Sequence, residues 1–379
     1  LHEVDNQLDM LRPITKWSHM VTHPGEIPEA IREAFRQMLT GRARPVELEI
    51  PPDVMRAEAE IDLLPAEHHA PKAADPALID EAARRLAVSD RPCILAGGGA
   101  LLAGAWEELR ALAEFLQAPV MLMPESKGVS PEDHPLFAGT NPGYFYTKLG
   151  PAHRTVPQSD AIVAIGTRFL IGGLQIGPEQ NLIQIDIDPR EIGKNYPASV
   201  GIEADAKAAL GQLLEALRKI ASPKPDRSAE AGTFRRDYEI ELRGYAPAQG
   251  TIIDALRAEL PASAMVISGM TNIGYWSNLM LPFSQPDTYV TSSYFGTLGY
   301  AFPTGLGAQI GANRATPGKR VVAITGDGGF LYATEELSTA KRFGINLLTI
   351  VFNNSAYGAS QWDQGYNFDE RVIGTSLTN

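Results

Sequence analysis

The strongest chemical signal in this sequence is an aspartate and an asparagine 27 residues apart. Asp327 stands in Gly326-Asp-Gly-Gly329, directly after the apolar run Arg320–Thr325, and Asn354 follows the run Leu347–Phe352 through Asn353. A helical pattern from about Ala333 to Phe343 lies between the two runs, so the segment is expected to form one β-α-β unit. A right-handed crossover brings both strand ends to the same carboxyl edge of the sheet, with Asp327 and Asn354 side by side. A carboxylate and an amide oxygen form a hard-oxygen site suited to Mg²⁺ or Ca²⁺. The glycines let a phosphate approach the backbone, and the start of the following helix favours its negative charge. Mg²⁺ takes few protein ligands and completes its shell with phosphate oxygens and water. The unit is therefore expected to be a metal–diphosphate anchor; an ordinary Asp-Gly turn is the bland alternative, disfavoured by the paired asparagines.

Other motifs are weaker. Gly97-Gly98-Gly99 follows a strand pattern and precedes a helix, but Leu102 stands where a dinucleotide fingerprint needs glycine or alanine. A tight turn and a nucleotide contact both remain open there. Gly318-Lys319 is no P-loop: residue 313 is asparagine, Arg320 stands where serine or threonine is needed, and the turn precedes a strand. The pair His68-His69 lies in a stretch rich in Ala, Pro and charge and is expected to be solvated linker, not a metal site.

The elements that must position the anchor fall into three segments. Residues 1–58 hold one helical pattern, with Pro28 near its start and Gly41 at its stop, and one alternating strand, Pro45–Pro51. One helix and one strand cannot bury a core alone, so this segment is expected to be the tail of a further domain. Residues 59–75 read as a linker. Residues 76–220 alternate helix and strand: a helix at 76–88, strands Pro92–Ala96, Pro119–Met123, Ala161–Ile165 and Leu182–Asp186, and a helix near 205–220. Short apolar strands between helices imply an α/β fold of doubly wound parallel sheets flanked by helices. Residues 221–249, charged and opened by Pro223 and Pro225, read as a second linker. Residues 250–379 begin another alternating unit, with a helix at 251–259, a strand Ala264–Ser268 and a helix at 300–312 ahead of the anchor.

Composition narrows the partners. The 379 residues carry 45 acidic against 33 basic groups, a formal charge of −12, which argues against nucleic acid or an anionic membrane as main partner. The single cysteine, Cys93, excludes an internal disulfide framework and any multi-cysteine metal site. No apolar run approaches the ~18–20 residues of a membrane span, and there is no secretory signal pattern. The sequence begins at Leu1 and not Met, in an acidic, polar stretch, and is expected to be a piece of a longer polypeptide.

Gly326-Asp327-Gly328 followed by Asn353-Asn354 resembles the thiamine diphosphate motif of the acetolactate synthase and 2-oxo-acid decarboxylase family. The resemblance extends along most of the chain. Arg12–Lys16, Gly41-Arg42, Pro45-Val46, Ile50-Pro51 and Asp53-Val54 are similar to the end of that family's pyrimidine-binding domain. Asp133–Phe137, Ile165–Phe169, Ile185–Pro189 and Glu191–Asn195 resemble its Rossmann-like middle domain. Gly296–Gly299 with Pro303–Ala312 resembles its pyrophosphate-binding domain.

The resemblance implies three units: 1–58, the remnant of a pyrimidine-binding domain; 76–220, a middle domain; and 250–379, a pyrophosphate-binding domain cut short. It implies that Asp327, Asn354 and the Ala356 carbonyl hold Mg²⁺, and that Gly326, Gly328 and Gly329 form the diphosphate turn, the last two by backbone N–H groups. The loop of Gly269, Thr271 and Asn272 would also touch the diphosphate. Gly296 and Leu298 would support a bent cofactor, and the bend presses its 4′-amino group toward the reactive carbon, a proximity effect. Tyr357, Ser360, Gln361 and Trp362 would flank cofactor and substrate. Core packing is the alternative for Leu298 and Trp362.

The implied activity is that of a lyase or carboligase: thiamine diphosphate attacks the ketone of a 2-oxo acid, carbon dioxide leaves, and the stored carbanion is transferred to a second carbonyl. A non-ligating decarboxylase and a catalytically silent nucleotide-binding homologue are the alternatives. The glutamate that starts the cycle lies in the family's pyrimidine domain upstream of Leu1, so no catalytic residue is assigned here. Two stretches depart from the flavin-binding pattern of acetolactate synthases: Thr140–Gly143 and Leu170–Gly173. Gly98, Gly99, Arg168 and Asp186 keep a nucleotide open, and with it FAD. Met270–Tyr275 also departs from the synthases, and Asn354–Gly358 is closer to benzoylformate-decarboxylase-like members. The resemblance further implies a cytoplasmic homodimer or homotetramer; which 2-oxo acid and acceptor it uses stays open.

Overall fold

The computed structural model describes residues 5–142, 149–171, 173–292 and 294–377. Gly143 and Gly172, in the two departures from the flavin pattern, lie outside them, as does Leu1. Three parallel sheets organise these residues.

The first sheet pairs β1 (Trp17–Met20) with β2 (Val46–Glu49). The helix Ile27–Leu39 covers it, opened by Pro28 and packing Ala30 inward with Val21 and Val54. The expected helix and strand are both present. β1 is an addition, missed because Trp17-Ser-His-Met20 lacks an alternating apolar face. The outer stripe Ile31, Phe35 and Leu39 of the helix is exposed. Residues 57–75 are irregular, as a linker should be.

The second sheet contains β3 (Pro92–Ala96), β4 (Val120–Leu122), β5 (Phe137–Thr140), β6 (Ala161–Ile165), β7 (Asn181–Asp186) and β8 (Val200–Glu203), in the order β5-β4-β3-β6-β7-β8. This is the 3-2-1-4-5-6 order of a doubly wound dinucleotide-type fold. Alternation along the strands divides the core. Ile94 and Ala96 face one layer with Leu86 and Leu213, whereas Cys93 and Leu95 face the other with Phe169 and Phe234. The helices Pro76–Val88 and Ala206–Ile220 start on Asp75 and Asp205, whose side chains accept from the N–H groups of Ala77 and Ala208.

One expectation fails here. Residues 221–249 are not a linker: Ser228–Tyr245 forms a helix that buries Ala231, Phe234, Tyr238 and Leu242. Those positions repeat at helical spacing, but the dense charges between them and the two prolines ahead masked the stripe. Tyr238 donates its hydroxyl to the Thr140 carbonyl at 2.7 Å, fixing the helix against β5. A second helix, Pro247–Glu259, leads into the last unit.

The third sheet runs β10 (Tyr289–Thr291), β9 (Met265–Ser268), β11 (Val321–Gly326), β12 (Leu348–Phe352), all parallel. It meshes tightly with the second unit. The Lys127 ammonium is fully buried, 2.6 Å from Glu132 Oε1 and 5.8 Å above the rings of both Phe283 and Tyr289. At Gly128, with φ +87°, a Cβ would lie 2.1 Å from the Gln285 carbonyl oxygen. The first unit docks on the second through Arg42, 3.0 Å from Glu191, and Arg44, 3.5 Å from Asp188. Among the described residues no helix is long and apolar enough to cross a membrane.

Candidate functional site

Strand register assembles the site. Gly326 pairs with Phe352 across β11 and β12, and Ile324 pairs with Ser268 across β11 and β9. Three loops therefore leave the carboxyl edge together: Gly269–Asn272, Asp327–Gly329 and Asn353–Ala356. They wall a cleft of about 870 Å³.

Asp327 is the first residue of the short helix Asp327–Leu331, with Gly326 extended before it. Its Oδ2 is inaccessible to solvent and has no hydrogen-bond partner. A buried carboxylate oxygen without a partner is costly unless a cation completes it. Asn354 turns its amide nitrogen toward Gly358, where a Cβ would sit 2.6 Å from Nδ2 and 3.9 Å from Oδ1. Asn353 Oδ1 accepts from the Ser355 N–H at 2.8 Å, and Ser355 takes φ +55°. That sharp turn sends Ala356 back against the chain end. Tyr357 N donates to Thr375 O and Leu377 N to Ser355 O, both at 2.8 Å, which ties down the Ala356 carbonyl's loop. One carboxylate, one amide and one carbonyl fit an Mg²⁺ ion shared with a diphosphate. Among the described residues no cluster of three His, Cys, Asp or Glu side chains offers a competing metal site.

The glycines have separate reasons. A Cβ on Gly326 would lie 2.8 Å from Thr271 Oγ1, and one on Gly328 would lie 2.7 Å from the Tyr357 ring. Gly326 thus seats the neighbouring loop and Gly328 seats the tyrosine. The Tyr357 phenol titrates above its ordinary range, first through its hydrogen bond with Tyr332, then through burial and the Asp327 carboxylate.

The cleft is lined by Thr271, Asn272, Gly296, Leu298, Gly326, Asp327, Gly328, Gly329, Asn354, Ala356, Tyr357 and Ser360, all anticipated from sequence. Three anticipated residues lie elsewhere. Gly269 sits behind the wall, its N–H donating to the Ile324 carbonyl at 2.7 Å. Trp362 is outside the lining and stacks on Tyr366, ring centroids 5.4 Å apart. Gln361 is exposed and also outside the lining. Sequence reasoning missed Gln249, Ile252, Tyr275, Asp363 and Gln364. Gln249 lay in the supposed linker; its Nε2 donates to Asn272 Oδ1 at 3.0 Å. Tyr275 follows Thr271 by one helical turn, and Gln364 follows Ser360 likewise, so helical spacing could have found them.

The switch point of the second sheet, between β3 and β6, was the other candidate. There Gly97 and Gly99 pack on the loop after β6: their Cβ atoms would lie 2.5 Å from Gly166 O and 2.6 Å from Gly166 Cα. Gly99 N donates to Gly166 O at 2.9 Å, and a Cβ on Gly98 would lie 2.1 Å from the Tyr294 hydroxyl. The glycines serve a tight turn whose open face is filled by the chain itself. A dinucleotide diphosphate does not fit this turn as it stands, so FAD enters no step below. Gly318 lies in an open turn at φ +89°, in agreement with a surface turn rather than a P-loop.

The model of the thiamine pyrophosphate enzyme central domain matches residues 79–213, and that of the C-terminal TPP binding domain matches residues 269–379. A probable 2-ketoarginine decarboxylase of Pseudomonas aeruginosa is 35% identical over 369 residues, covering 94% of this chain and 63% of that protein. A probable acetolactate synthase large subunit of Methanocaldococcus jannaschii is 35% identical, covering 96% and 64%. The acetolactate synthase large subunit of Corynebacterium glutamicum is 34% identical, covering 97% and 60%. The chain thus spans roughly three-fifths of the length of these relatives.

Proposed function

The chain belongs to the thiamine pyrophosphate enzyme family, and from that premise we propose that it serves a thiamine diphosphate- and Mg²⁺-dependent lyase or carboligase acting on a 2-oxo acid. The observation that carries this reading is the unpartnered, solvent-inaccessible oxygen of Asp327, a residue lining the same cleft as Gly328, Gly329 and Asn354. When bound, the cofactor supplies a thiazolium that accepts the electrons released as carbon dioxide leaves. The chain's own residues would prepare that chemistry. Asp327, Asn354 and the Ala356 carbonyl would hold the metal. Gly328 and Gly329 would offer N–H groups to the diphosphate, and the Thr271–Asn272 loop would close over it. Leu298 would support the cofactor from below, and the face carrying Ser360, Asp363 and Gln364 would meet the substrate.

The ligating, acetolactate-synthase-like reaction is the first reading, because two of the relatives above carry that name at 34–35% identity over nearly the whole chain. A decarboxylase without ligation is the second. It is favoured by the equally similar 2-ketoarginine decarboxylase relative and by the Asn354–Gly358 sequence. Active sites shared between subunits would make the protein a homodimer or homotetramer, and we place it in the cytoplasm. Titration of the full-length protein with Mg²⁺ and thiamine diphosphate tests the cofactor; absence of saturable binding refutes it. Product analysis from pyruvate separates the readings: acetolactate supports ligation, acetaldehyde alone the decarboxylase.

A further inference from the structure

Tyr294 lies in the loop between β10 and the helix Ala301–Ala315. That loop also carries Gly296 and Leu298, which line the cofactor cleft. Tyr294 itself points the other way. More than half of the residue is exposed, at 55%, but its hydroxyl end enters the switch-point crevice of the second sheet. A Cβ on Gly98 would meet that hydroxyl at 2.1 Å and the Tyr294 Cζ at 3.2 Å, so only glycine leaves room for it. The Arg168 guanidinium lies 5.9 Å from the ring centroid, a cation–π contact from the loop after β6. Burial of the hydroxyl raises its pKa, with Glu125, Arg42, Arg168 and Asp186 as the charged neighbours. The loop is fixed at its start as well: Ser292 N donates to the Tyr300 hydroxyl at 3.0 Å and Gly296 N to Ser292 O at 2.6 Å. Between Tyr294 and Leu298 the backbone passes Gly296 at φ +67°, where a Cβ would meet nothing within 4 Å. Three residues on, a Cβ on Gly299 would lie 2.7 Å from the Tyr332 Cβ, so the loop is held at its far end there and Gly296 lies between that contact and Tyr294.

We propose that Tyr294 is a positioning residue: docked over Gly98 and against Arg168, it uses the middle domain as the anchor that holds Gly296 and Leu298 in the cofactor cleft. The crevice that a dinucleotide would occupy in this strand order becomes a socket for the chain's own tyrosine. The inference rests on the cleft being the cofactor site, and its test separates the two.

Hydrogen exchange of the peptide spanning 294–299 is measured in the full-length protein and in Tyr294→Ala, Tyr294→Phe, Gly98→Ala and the double variant Tyr294→Ala/Gly98→Ala, alongside the thiamine diphosphate Kd with Mg²⁺ by calorimetry. Loss of the ring should speed exchange of 295–299 about tenfold and weaken the cofactor by a similar factor. Gly98→Ala should mimic it, and the double variant should be no worse than Tyr294→Ala alone by more than about twofold, because both changes undo one contact. Phe keeps the ring over Arg168 and should stay within about threefold of the parent. Should Ala fail to fold, Tyr294→Leu is read in its place. Unchanged exchange in Tyr294→Ala, or full additivity with Gly98→Ala, overturns the proposal. A parent protein that binds no thiamine diphosphate refutes the cofactor reading instead, and the exchange data still decide the docking.

Discussion

Replacing Asp327 with alanine should change stability in opposite directions with and without cofactor. In the free protein Asp327 Oδ2 is out of solvent and has no partner. An unsatisfied buried acceptor of this kind costs about 1–3 kcal/mol, more if charged. Against that stands the favourable interaction of a carboxylate in the first turn of a helix, about 0.3–1 kcal/mol. The desolvation effect is the larger, so the free alanine variant should be more stable by about 1–2 kcal/mol. With a transition gaining about 2–4 °C per kcal/mol for a unit of this size, the apparent Tm should rise by about 2–8 °C. Adding Mg²⁺ and thiamine diphosphate at about 100 times Kd should stabilise the parent by about 2.7 kcal/mol and leave the variant unmoved. The two melting curves therefore exchange order on addition of the ligands. Differential scanning calorimetry of both proteins, with and without the ligands, measures this directly. A free variant that melts below the parent refutes the claim that Asp327 is uncompensated. A variant that still shifts with ligand refutes its role as a metal anchor.

Two further predictions test the frame around the site. Lys127→Met strands the buried Glu132 carboxylate, already raised in pKa by burial despite the ammonium beside it; chemical denaturation should show a loss of about 3–5 kcal/mol, mostly restored by adding Glu132→Gln. Cys93 is fully buried and its thiol is pushed up to about 12 by desolvation. It should resist a thiol reagent until the protein unfolds. Because its folded pKa exceeds the ordinary value of 9.0, its contribution is intact below that pH and is lost as the pH rises toward about 12. Denaturation midpoints for Cys93→Ala and the parent should converge in dependence on pH only below that window.

Much of the cofactor edge was legible because crossover handedness leaves little choice. Once Arg320–Thr325 and Leu347–Phe352 are read as strands, a shared carboxyl edge for Asp327 and Asn354 follows, and the register pairs Gly326 with Phe352, the strand ends that lead into them. Four strands of the second sheet, β3, β4, β6 and β7, were legible for another reason, the apolar runs left by burial on both faces, whereas β5 and β8 were not anticipated. Three further things were hidden. The helix Ser228–Tyr245 carries a narrow buried stripe under a charged surface, so composition pointed to a linker. Trp362 belongs to a helix whose rotation is set by where Ser355 turns with φ +55°, a local backbone choice that residue type does not declare. The glycines at 97–99 announce close approach without naming the partner: sequence left a nucleotide open, and the partner is Tyr294, nearly 200 residues away.

The three loops of the cleft each leave a different strand, and none of them holds a complete binding set. Sliding β12 by one residue against β11 would flip every side chain of β12 to the other face and shift the Asn353–Asn354 loop relative to Asp327. The site is thus a gauge of its own sheet. On the proposed reading, a chain that pairs its strands out of step would not capture the metal and diphosphate, whereas a correctly paired one would be stabilised by them. Cofactor supply during synthesis would then act as a selection step on folding, retaining molecules whose strands have locked in step before any substrate arrives.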